Sequence, residues 1–185
     1  YRSKKGNSIQ YIKDESELEK HLINEGSKKL VYEVPKSKDH VSEISNQELV
    51  NLLNLSKTVQ KLVERLTRRI ESKLVIEQAS VIAALKEDSY NDPKLGQEIA
   101  NYLQRRLNTI EPTLWRVVFE NSSLIIKYIN RGVEKKYIIN NNFLVTPEAK
   151  SLNNLRKKLM ENFGILKKGS AGILKSGEYE YKINR

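Results

Sequence analysis

Apolar residues recur at positions 49, 52, 55, 59, 62, 63, 66 and 70, a spacing that an α-helix gathers onto one face. Ser45 precedes the pattern and Glu48 stands three residues on, as in a capping box. The chain must therefore supply partners that cover one side of a long amphipathic helix. The opposite side carries Lys57, Lys61, Arg65 and Arg68 at steps of four, four and three. At about 100° per residue these cations fall in one stripe roughly 80° wide. Such a ridge can run along a phosphate backbone, and it can equally be the solvated face of the helix. Glu64 sits at its edge and softens its charge.

Around this helix the chain predicts an α+β fold, with a helical middle segment, short antiparallel β-sheets and flanking helices. Tyr1–Lys5 and Ile9–Lys13 read as strands joined through Gly6 and Asn7, which tolerate positive φ. Asp14 and Glu17 form the start signal of a helix that Gly26 is expected to end. Leu30–Val34 reads as a strand stopped by Pro35, and Lys36–Glu43 as a loop. A second central helix is expected over 71–86. A third begins at Pro93 with the face Leu95, Ile99, Leu103 and Leu107. Trp115–Glu120, Leu124–Asn130 and Val133–Ile139 read as a three-stranded meander. Thr146-Pro147 opens a last helix facing inward through Ala149, Leu152, Leu155, Leu159 and Phe163, closed by Gly164. Ile165–Lys167, Ile173–Lys175 and Tyr179–Ile183 read as short strands.

The 185 residues suffice for one domain or two small lobes, and a chain of that length buries enough surface to need no covalent staple. There is no cysteine, which excludes disulfides and thiolate metal sites and suits a reducing, cytoplasmic setting. No apolar run approaches a membrane span, so no membrane partner is expected. The net charge of +10 favours an anionic partner, most often nucleic acid. Residues 150–185 carry nine Lys or Arg against three Glu. The chain starts at Tyr1 without an initiator Met or a signal segment, and we read it as a piece of a longer polypeptide.

Reactive constellations are absent from the sequence. His21 and His40 are its only histidines, and neither lies in a metal-ligand pattern. There is no Gly-x-Ser-x-Gly elbow. Glu178 and Glu180 alternate on an expected strand and could share an Mg²⁺; a solvated face balanced by Lys175 and Lys182 explains them better. Glu87, Asp88 and Asp92 lack the spacing of a calcium loop. Lys168-Gly169-Ser170-Ala171-Gly172 lacks the Gly-Lys-Ser/Thr end of a phosphate loop and reads as a turn. Arg156-Lys157-Lys158 is basic but fans around its helix. No catalytic and no metal-binding residue is assigned.

The block Tyr1–Glu15 resembles a stretch of the DNA gyrase B subunit that follows the metal-binding part of the Toprim domain. Trp115–Phe119, Gly132–Tyr137 and Phe143–Thr146, continuing to Leu152 and Leu159, resemble the insert that many Gram-negative gyrases carry in that region. Thr58–Lys61 and Arg68-Arg69 agree with it in pattern. The resemblance implies three stretches: 1–44 as the end of a Toprim-like strand pair and the start of the insert, 45–110 as its helical part, and 111–185 as its β-rich part. It implies a parent that is an ATP-hydrolysing type II topoisomerase, which introduces negative supercoils into double-stranded DNA together with the gyrase A subunit. The family's Mg²⁺-binding Toprim acids and its ATP site lie before Tyr1. This segment is then expected to bind no cofactor. It would buttress other domains of the gyrase B subunit, and it would guide DNA with Lys57, Lys61, Arg65 and Arg68 as the candidate contacts. A free-standing DNA-binding module and a pure protein-interaction scaffold remain the alternatives.

Overall fold

A computed structural model of the chain describes residues 1–5, 7–35, 41–111, 114–130, 132–163 and 172–183. The expected readings at His40, Gly164, Ile165–Lys167 and Lys168–Ala171 lie outside them. The architecture is α+β, as expected, and forms two compact units: 1–57 with 162–185, and 58–161.

In the first unit, β1 (Arg2–Lys5) and β2 (Ser8–Tyr11) pair as an antiparallel ribbon. Helix α1 (Glu15–Ser27) follows. The Asp14 carboxylate accepts from the Glu17 amide at 2.8 Å, and the Glu17 carboxylate accepts from the Lys13 amide at 2.7 Å. The box therefore closes one residue earlier than its standard form. The helix also runs through Gly26 rather than ending there.

Strands β3 (Leu30–Pro35) and β4 (Val41–Ser45) join β8 (Gly172–Ser176) and β9 (Tyr179–Ile183) in an antiparallel sheet of order β4-β3-β8-β9. β4 corrects the expected loop at 41–43, and residues 36–40 of that reading lie outside the described ones. The apolar residues of β4, Val41 and Ile44, are three apart, so they give no period-two signal. The strand turns directly into α2 (Asn46–Ile70) at Asn46, whose φ of +50° asparagine tolerates. Tyr32, Val34, Leu49 and Leu52 form the core of this unit. The Tyr32 ring lies so close to Gly172 that any β-carbon there would collide with it.

The second unit holds the rest of α2, then α3 (Lys73–Val81), a 3-10 turn over Glu87–Tyr90, and α4 (Pro93–Ile110). Strands β5 (Leu114–Glu120), β6 (Ser123–Asn130) and β7 (Val133–Ile139) form the meander. Short α5 (Asn141–Leu144) and α6 (Pro147–Phe163) follow. The expected helix over 71–86 is shorter than its apolar pattern. Ala83 takes φ +63°, and the Ala84 amide donates back to the Ala79 carbonyl at 2.9 Å. That is a Schellman stop with alanine where glycine is usual.

The face of α4 is also rotated from expectation. Gly96, Ala100, Leu103 and Leu107 are buried, and Leu95 is 40% exposed. The Phe119 ring would lie 2.5 Å from a β-carbon on Gly96, so the small residues let the helix settle onto the sheet. Leu66, Ile76, Leu103, Leu107, Leu124, Ile126, Ile139, Leu144 and Leu152 are fully buried together. Burial of nine such side chains, each contributing about 1.5–3 kcal/mol, gives this unit its driving force.

Candidate nucleic-acid interface

The ridge on α2 exists because Val63, Leu66 and Ile70 face inward on the same helix. Lys61, Arg65 and Arg68 are exposed, and no ion pair engages them among the described residues. Lys57 is half-buried and pairs with Glu19 of α1. Its charge is compensated, so the ridge presents three open cations rather than four. The side-chain amide of Gln60 donates to the Glu64 carboxylate at 2.9 Å, which occupies the acid at the edge of the ridge.

The other basic clusters have structural work. Arg156 Nε donates at 3.1 Å to the carbonyl of Val81, at the C-terminus of α3, where a cation meets the negative end of the helix dipole. Arg106 Nε donates to Gln78 Oε1 at 3.0 Å and ties α4 to α3. Lys175 lies 2.5 Å from Glu33 and 3.5 Å from Glu180. The hydrogen bond to Glu33 comes first among the causes that hold its pKa above the usual lysine range.

The acidic candidates also resolve. Glu178 sits in the two-residue β8–β9 turn after Gly177, whose φ is +59°, so it does not share a strand face with Glu180. Asp92 caps α4, Glu87 pairs with Lys150 at 3.6 Å, and Asp88 pairs with Lys86 at 3.5 Å. His21 Nε2 lies 3.0 Å from the Ser3 hydroxyl. Among the described residues no group of three or more His, Asp or Glu could hold a metal ion, and no helix is long and apolar enough to cross a membrane.

One basic feature was not anticipated. The meander's register sets Arg116 opposite Lys127, and Lys127 opposite Lys136, in one row across the outer face. The next row on that face is Val118, Ile125 and Ile138. The two-residue turn at Asn121-Ser122 fixes the β5–β6 register. Starting β6 at Leu124 rather than Ser123 hides the row.

Each unit is α+β, and in the second the open cations lie on a helix ridge and on a sheet face. The family described as DNA gyrase B subunit insert domain matches residues 36–184, and the chain belongs to that family. No curated protein matches the chain.

Proposed function

We propose that this chain is a non-catalytic insert in the Toprim region of the DNA gyrase B subunit. The parent enzyme would use ATP and Mg²⁺ held elsewhere. It would work with the gyrase A subunit in the cytoplasm to supercoil DNA negatively by strand passage. The insert would hold neighbouring domains of its own subunit in position and lay Lys61, Arg65 and Arg68 beside duplex DNA. Lys57 would steady the ridge from its pair with Glu19. A positioning role of this kind affects rate strongly without contributing a reacting group. The family match over 36–184 carries the reading. The ridge adds the polyanion, because backbone charge is what unpaired cations in line can neutralise.

The test is excision of residues 36–184 from the parent enzyme. The reading predicts supercoiling reduced about tenfold or more, with ATP hydrolysis retained because its machinery lies outside the segment. Unchanged supercoiling would overturn it.

A further inference from the structure

The outer face of the β5–β6–β7 sheet is open. Val118 is 38% exposed and Ile138 is 42% exposed, and Ile129 lies uncovered on the same face. Beside this aliphatic row runs the row Arg116, Lys127 and Lys136. Directly opposed side chains have β-carbons about 4.5–5.5 Å apart, so like charges in such pairs repel. Lys127 has some relief from Glu134 at 3.0 Å. Among the described residues Arg116 and Lys136 have no carboxylate partner. A sheet that keeps three cations abreast next to exposed aliphatic side chains lacks a counterpart for both.

We propose that this face docks onto a protein surface that presents a row of carboxylates flanked by aliphatic side chains. A nucleic-acid backbone would answer the cations and leave Val118, Ile125 and Ile138 without an apolar partner. A protein surface answers both rows at once, in the mixed manner of protein–protein interfaces. Three strands of seven or eight residues cover roughly 14 by 23 Å, or about 300 Å². That is less than the ~800 Å² per partner of a standard interface, so the sheet anchors a larger contact. The proposal rests on the insert reading, since it supplies the surface through which the insert would brace a neighbour.

The test places a photocrosslinker on this face, as Ile138→p-benzoylphenylalanine in the full-length parent protein, within the complete gyrase complex on duplex DNA. The expected result is a crosslink to one protein segment bearing at least two carboxylates. Its yield should fall about tenfold or more when Lys127→Glu and Lys136→Glu are added, because like charges then face each other. Far-UV circular dichroism of the charge-reversed protein checks that it is folded. A crosslink to DNA, to a second copy of this chain or to a segment without carboxylates overturns the proposal, as does no crosslink. Those outcomes leave the insert reading standing, which fails separately if excision leaves supercoiling unchanged.

Discussion

The side-chain amide of Asn108 on α4 pairs with the backbone of Trp115 on β5 as a neighbouring strand would. Its Nδ2 donates to the Trp115 carbonyl at 3.2 Å, and its Oδ1 accepts from the Trp115 amide at 3.1 Å. One turn earlier on the helix, Gln104 Oε1 accepts from the Val117 amide at 2.8 Å. β5 is an edge strand of the meander, and these two side chains close part of its free edge.

Asn108→Leu leaves the buried amide and carbonyl of Trp115 without partners. Stability should fall by about 1–3 kcal/mol, measured by equilibrium urea unfolding. The opened edge should also make the variant more prone to aggregate on concentration. A variant as stable as the parent chain would show that water serves this edge equally well.

Ser122 has φ +52° and follows Asn121 at φ +49°, so the β5–β6 turn needs the left-handed region twice. Asparagine accepts it and serine is strained. Ser122→Gly should stabilise the chain by about 0.5–1 kcal/mol, since relief of about 1–2 kcal/mol outweighs the added entropy of the unfolded chain. Ala83→Gly should act in the same direction at the end of α3. A loss of melting temperature in both variants would contradict this account of the turns.

Gly96→Ala sets two effects against each other. Helix propensity favours alanine by about 1 kcal/mol. The new methyl group meets the Phe119 ring, which also packs edge-on to Tyr90 at 5.6 Å between centroids. Overpacking of this kind costs about 1–3 kcal/mol, so the net change should be destabilising. Adding Phe119→Leu should restore part of the loss in a double-mutant cycle.

The Tyr90 phenol donates to the Ala84 carbonyl at 2.8 Å in the core, and burial pushes its pKa well above the usual tyrosine range. The folded chain thus holds this proton more tightly than the unfolded chain. Its contribution is fully present below about pH 10 and is lost as pH rises beyond. Tyr90→Phe should lower stability near neutrality by about 1 kcal/mol and flatten the alkaline decline. An alkaline profile unchanged by that substitution would show that other groups control it. Burial also raises Tyr32 and Tyr137, so part of the decline should remain.

The sequence revealed the elements whose signals are local. The Pro93 start of α4, the meander and the Thr146-Pro147 start of α6 stand where residue type and period put them. It did not reveal choices made by tertiary contact. Gln104 and Asn108 share a helix face, but nothing local says that a strand edge meets it. Leu95 fits the apolar period and is left outside because the close approach of Gly96 to Phe119 rotates the helix. The α2 ridge was legible from spacing alone. The pairing of Lys57 with Glu19 was not, because it joins two helices far apart in sequence.

The salt dependence of duplex binding tests the ridge most directly. Each cation that meets a phosphate contributes about 0.9 to the slope of log K against log salt. In the full-length parent protein, the triple substitution Lys61→Ala, Arg65→Ala and Arg68→Ala should reduce that slope by about two to three units. Lys57→Ala alone should change it by much less than one, since Glu19 already compensates that charge. A triple variant that keeps both the slope and the affinity of the parent would show that duplex DNA does not run along this helix.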